Sequence, residues 1–167
     1  MKGAAREIIT TIIVGVVIFI LLQTTVQSFI VIGSSMKPSL EPGQRLLVSK
    51  ISYRVGEPQQ GDVIVFLPPN DDTDYIKRII GLPGDTVEVD DMTVYVNGVA
   101  LDEPYINSAP QYHVNEKQVP ADSYFVLGDN RNNSNDSHNG WFAEDDAVVG
   151  KAWLSVWPPD RWGLVSH

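Results

Sequence analysis

The chain contains no cysteine, which excludes a disulfide framework and a thiolate metal cage and leaves either side of a membrane open. Basic residues are scarce. There are 12 Lys and Arg against 21 Asp and Glu, a net charge of −9, and no basic stripe, so nucleic acid is not an expected partner. The three histidines, His113, His138 and His167, are scattered, without metal-ligand spacing. The acidic stretch 70–74, "NDDTD", lacks the spacing of a calcium loop and reads as a solvated turn. Helical periodicity of useful length is missing after residue 33, and there is no internal repeat. What remains is 167 residues, enough for one domain with a real core.

The N-terminus carries a long apolar run. From Ile8 to Val26 no residue is charged, and from Ile12 to Leu22 every residue is apolar or glycine. A bilayer core needs roughly 20 such residues as helix. Lys2 and Arg6 precede the run. A cleavable signal peptide has the same basic start, but a shorter apolar stretch and a small-x-small exit, for which Val26-Gln27-Ser28 is a poor match. The span therefore predicts an uncleaved anchor over 8–27, with residues 1–7 in the cytoplasm by the positive-inside rule and 28–167 outside as a single extracytoplasmic domain.

That domain reads as all-β. Short runs rich in Val, Ile and aromatics ("RLLVSKI", "DVIVFL", "YIKRIIGL", "TVEV", "TVYVN", "YFVLGD", "VVGKAWLSVW") alternate with turn pairs such as Pro42-Gly43, Pro68-Pro69-Asn70 and Pro83-Gly84. "TVYVNGVAL" predicts a hairpin on Asn97-Gly98. Short strands at this spacing predict mixed, barrel-like folded sheets. The stretch 102–122 has little pattern and is expected to be a surface excursion. Most of the four tryptophans are expected in the core, with "WPPDRW" at 157–162 the candidate for a lipid interface.

Three segments carry candidate chemistry: "GSSMKPSL" at 33–40, "YIKRIIGLPGD" at 75–85 and "GDNRNNSNDSHNGW" at 128–141. Taken singly, each has an ordinary reading: a membrane-exit turn, an edge strand with a turn, and a polar loop of turn-forming residues. In this order behind an anchor, and with "GDVIVF" at 61–66, they closely resemble type I signal peptidases of the bacterial type, membrane serine proteases with a Ser–Lys dyad. The resemblance runs from the anchor to Gly150.

It implies that Ser35 is the nucleophile and Lys77 the general base. It further implies that Ser134 hydrogen-bonds and orients the lysine amine, that Met36 is the methionine beside the nucleophile, and that Arg78, Asp129 and Asp136 support the site. The Ser35 amide is implied as the main oxyanion donor, and the resemblance implies no metal and no cofactor. Gly33 stands where some members place a second, side-chain donor, and His138 where many have an Arg paired with the nearby Asp. The implied substrates are exported preproteins, cleaved after Ala-x-Ala at the outer membrane surface and bound as an extended strand beside 28–34 and 72–77. The chain is short for the family, with little room between Lys77 and the third segment for a second β domain.

The residues themselves suit this chemistry. A serine hydroxyl needs a base to become nucleophilic. A lysine in water, with a pKa of about 10.4, is a poor base at neutral pH, but burial disfavours the ammonium. Tyr75 and Ile79 are expected to share a strand face with Lys77. His138 competes as a base in principle; its position makes it a supporting residue. Two other functions compete: a related Ser–Lys peptidase, such as an organelle-type processing protease or a self-cleaving repressor, and a catalytically dead anchored domain that binds exported chains. The anchor and the missing DNA-binding domain weigh against the repressor, and the presence of both Ser35 and Lys77 against the binder. A monomer is expected, in the plasma membrane, in contact with the lipid bilayer.

Overall fold

The computed structural model describes residues 2–69 and 71–165. Asn70, expected in a turn, and His167 lie outside the described residues, as does the side chain of Lys2. The apolar run folds as helix α1 (Lys2–Thr25), long and apolar enough over Arg6–Thr25 to cross a membrane. The helix stops earlier than the expected boundary at residue 27. Its last residue is followed directly by strand β1 (Val26–Ile30), where the β-branched and aromatic side chains Val26, Phe29 and Ile30 suit a pleated surface better than a helix.

There follow β2 (Arg45–Ser49), a one-turn helix α2 (Ser52–Val55), β3 (Val63–Phe66), β4 (Tyr75–Gly81), β5 (Thr86–Asp90), β6 (Thr93–Val96), β7 (Val99–Ala100), β8 (Val114–Gln118), β9 (Ser123–Leu127), β10 (Ala143–Glu144), β11 (Val148–Trp157) and β12 (Gly163–Leu164). They form two antiparallel sheets. The larger has the order β1-β2-β11-β3-β4-β9-β10, with β12 beside β11, and curls as half of a barrel. The smaller has the order β7-β6-β5-β8. Its β6–β7 hairpin turns on Asn97-Gly98, both at positive φ, with Val96 paired to Val99, as a two-residue turn of this kind requires.

β3 is covered on both faces. Val63 and Val65 pack with Val31, Met36, Leu46 and Val48, whereas Ile64 and Phe66 pack with Ile79, Tyr124 and Val126. An uninterrupted apolar strand of this kind belongs at the centre of a two-sided sheet. The small sheet has its own core of Val87, Val89, Val94, Val114 and Val119 under Phe125 and Leu127 of β9.

Two expectations are corrected here. The stretch 102–122 is not simply a surface excursion. It contains β8, paired with β5, and its Val114 and Val119 are buried. The room between Lys77 and residue 128 is enough for a four-stranded sheet. The tryptophans also differ from expectation. Trp141 packs against Phe66 and Tyr75 at ring-centroid distances of 6.1 and 6.4 Å, but Trp153, Trp157 and Trp162 are exposed.

Phe66 joins β3 to the rings of Tyr75 and Trp141 and is wholly buried. Phe66→Ala is expected to destabilise the folded protein by about 4 kcal/mol through lost burial and a residual cavity. Denaturant unfolding of the purified protein checks this, and a loss below about 1 kcal/mol would contradict the packing described.

Candidate active site

Ser35 sits in the turn that joins β1 to β2. Gly33 opens this turn at φ +82°, a left-handed conformation that glycine adopts without strain. Met36 closes it: its side chain is buried among Val31, Leu40 and Leu46, and its carbonyl accepts from the Leu40 amide at 2.9 Å. The methionine therefore anchors the turn into the core and leaves Ser35 at the surface of the larger sheet's concavity.

Lys77 lies on β4. Tyr75, Lys77 and Ile79 alternate along one face, and Lys77 is opposite Ile64 of β3. Only 4 % of Lys77 is exposed. Its Nζ donates to Ser35 Oγ at 2.8 Å and to the Ile76 carbonyl at 3.1 Å, with the Tyr75 ring 5.0 Å away. Burial lowers the Lys77 pKa to about 8, against the opposing pull of the Asp136 and Asp129 carboxylates, which favour the ammonium. At pH 8 half of the molecules thus carry a neutral amine beside a serine hydroxyl, the arrangement a general base needs.

The 128–139 loop closes the site from the other side. Asn130 donates its amide to the Ser35 carbonyl at 2.9 Å and its side-chain amide to the Ser34 carbonyl at 3.0 Å. Asn133 donates to Ser34 Oγ at 3.0 Å. Gly128 lets this approach happen: a Cβ there would lie 2.3 Å from Ser134 Oγ and 2.4 Å from the Ser35 carbonyl oxygen. Arg78 and Asp129, both fully buried, form a bidentate pair at 2.9 and 2.8 Å, and Arg78 also donates to the Gly61 carbonyl at 2.8 Å. Asp136 accepts from the Gly128 amide at 2.9 Å and faces His138 Nδ1 at 2.6 Å.

Ser35, Lys77, Met36, Arg78, Asp129, Asp136 and Ser134 are thus gathered in one region, but one expected contact is not made. Ser134 Oγ is buried without a hydrogen-bond partner among the described residues, so it does not bond the lysine amine. The second amine hydrogen bond goes instead to the Ile76 carbonyl, one residue away on the same strand. Sequence reasoning also passed over Asn130 and Asn133, which look like turn formers inside "GDNRNNSND". It gave no role to Glu103, Tyr105 or Arg131 either.

A cavity of about 320 Å³ opens onto the pair, walled by Phe29, Ile30 and Ile32 on one side and Thr73, Tyr75 and Ile76 on the other. Ser35 and Lys77 line it. Among the described residues β1 is an edge strand, paired only with β2. Among the described residues no group of acidic or histidine side chains is arranged to hold a metal ion.

The Lys77 pKa has a consequence for stability. Its folded value of about 8 lies below the ordinary 10.5, so between these values the unfolded chain holds the proton and the folded chain does not. Stability therefore rises with pH across that window. Below pH 8 both states are protonated and the folded protein carries the whole cost of burying an ammonium, about 3 kcal/mol at about 1.4 kcal/mol per unit. Lys77→Met is expected to be more stable than the parent by up to that amount at pH 7, and to lose the advantage above pH 10.5. Denaturant unfolding at both pH values checks this; a variant less stable at pH 7 would contradict it.

Residues 5–157 match the family model of signal peptidase, peptidase S26. The chain is 43 % identical over 167 residues to a probable signal peptidase I-2 of Synechocystis, covering 96 % of this chain and 77 % of that one. It is 37 % identical to signal peptidase IB of Staphylococcus aureus, covering 95 % and 92 %. The crystal structure of a signal peptidase I from Enterococcus faecalis superposes with a TM-score of 0.50 at 37 % identity, over 57 % of this chain and 97 % of that one. With a family model matched over nearly its whole length, the chain belongs to the S26 signal peptidase family.

Proposed function

We propose that the protein is a membrane-anchored serine endopeptidase that removes signal peptides from exported preproteins, with Ser35 as nucleophile and Lys77 as general base. The observation that carries this is the 2.8 Å hydrogen bond from the buried Lys77 amine to Ser35 Oγ. In the neutral form, Lys77 takes the proton as Ser35 Oγ attacks the scissile carbonyl. The ammonium so formed then protonates the leaving amine, and a water activated by the same amine releases the acyl group. The Ser35 amide has no acceptor among the described residues and is free to donate to the developing oxyanion.

The substrate enters as an extended strand along the free edge of β1 and the first residues of β4, with small side chains at the first and third positions before the cleaved bond. α1 spans the bilayer with its N-terminus in the cytoplasm, where Arg6 favours that side. Residues from β1 onward lie outside, and the exposed Trp157 and Trp162 suit the lipid headgroup region. Arg78, Asp129 and Asp136 hold the site's shape, and the buried Ser134 side chain packs against Gly128 beside them.

The detergent-solubilised protein is expected to cut a preprotein after its Ala-x-Ala site. Ser35→Ala and Lys77→Ala are expected to lose at least about 100-fold in rate, while His138→Ala retains measurable activity. The rate of the parent should rise with pH about a midpoint near 8, as the amine loses its proton. Undiminished cutting by Lys77→Ala would remove the lysine from the mechanism, and no cutting by the parent would favour an anchored binder of exported chains.

A further inference from the structure

We propose that the segment 103–112, which joins β7 to β8 of the small sheet, is a positioning element for the peptidase site. It fixes the 128–139 loop and Arg78, and through them Ser35 and Lys77. The inference rests on the peptidase reading above.

Four contacts from this short connection land on four different residues around the site. The Glu103 carboxylate takes both arms of the Arg131 guanidinium, with side-chain exposures of 6 % and 0 %. Tyr105 donates its hydroxyl to the same carboxylate at 2.8 Å and lays its ring 4.0 Å from the guanidinium carbon of Arg78. Asn132 is held at both ends, accepting from the Gln111 amide at 2.7 Å and donating to the Ala109 carbonyl at 2.9 Å. Tyr112 stacks on His138, with ring centroids 4.3 Å apart and planes 20° from parallel.

Three of the four continue inward. Arg131 donates to the Gly128 carbonyl at 3.2 Å, and the neighbouring Asn130 amide holds the Ser35 carbonyl. Arg78 follows Lys77 on β4 and holds Asp129. His138 holds Asp136. A buried bidentate ion pair constrains direction as well as distance, and a buried charge that loses its partner is costly, so the segment cannot drift without moving the loop.

The groove walls come from β1, β4 and their flanks, and no residue of 103–112 is among them. A positioning element of this kind therefore acts on the chemical step and leaves substrate contact alone. Loosening it admits water beside Lys77 and Asp129, relieves the burial that keeps the amine's proton affinity low, and lets Ser35 leave hydrogen-bond range.

The test uses the full chain in detergent micelles with a peptide carrying an Ala-x-Ala site. Glu103→Gln and Tyr105→Leu are expected to lower kcat by about tenfold or more with KM within about twofold. They should also move the midpoint of the pH profile upward by about one unit, toward the value of a solvated lysine. Tyr105→Phe keeps the ring over Arg78 and is expected to restore most of kcat. Val48→Ala, in the core of the larger sheet and in a cluster that holds no residue of the segment, lowers stability without touching the segment and is expected to keep the parental midpoint. A folded Tyr105→Leu with parental kcat and midpoint would overturn the proposal, as would a loss confined to KM or an equal shift in Val48→Ala. Should the parent fail to cut, the peptidase reading falls. Titration of the Lys77 amine by nitrogen-15 NMR in the parent and Tyr105→Leu then decides the positioning role alone, an unchanged midpoint refuting it.

Discussion

A lysine amine held away from water is the constraint around which the rest of this molecule is arranged. Burial disfavours its charge, but two carboxylates, Asp129 and Asp136, lie near enough to restore it. Left bare, their fields would keep the amine protonated and useless as a base. Each is instead faced by a cation or a potential one: Asp129 by the fully buried Arg78 and Asp136 by His138. The architecture follows from this arrangement. β3 and β9 must flank β4 to exclude water from Lys77. The 128–139 loop must then fold back over the strand ends to bring the partner charges in. A lone buried lysine would be a defect; this one is neutralisable because burial outweighs the pull of the two carboxylates.

Much of this was legible in the residues. The strands later numbered β2 to β6, β9 and β11 announce themselves by β-branched and aromatic runs between Gly and Pro pairs, and the Asn97-Gly98 hairpin by its turn chemistry. Ser35 and Lys77 stand out through a family pattern that four ordered segments make specific. β1 was hidden because its apolar residues merge with the run before it, so hydropathy alone places the helix end two residues late. β8 was hidden for the opposite reason: in "VNEKQ" only Val114 is buried, since the strand lies at a sheet edge, and an edge strand shows no clean alternation.

The supporting contacts were the least legible. Glu103, Tyr105 and Tyr112 belong to a stretch with no period, and their partners Arg131, Arg78 and His138 lie at sequence separations that only the folded chain closes. Asn130 and Asn133 sit in plain view, but asparagine in a loop usually satisfies its own turn, and nothing local distinguishes one that reaches across to another segment. The unpartnered Ser134 hydroxyl shows the limit of motif transfer as well. The motif names the residue, but which atom it meets is a property of the packing around Gly128.

The direct passage of α1 into β1 also makes the molecule a ruler. No flexible linker separates Thr25 from Val26, and nine residues lie between Thr25 and Ser35, a reach of at most about 33 Å over the ten steps at about 3.3 Å per residue. The height of Ser35 above the end of the apolar helix is therefore written in strand length rather than left to diffusion. A strand can be lengthened without turning its faces only in steps of two residues. Single-residue insertions would exchange the groove face of β1 for its reverse, so evolution can adjust this height only in increments of about 7 Å.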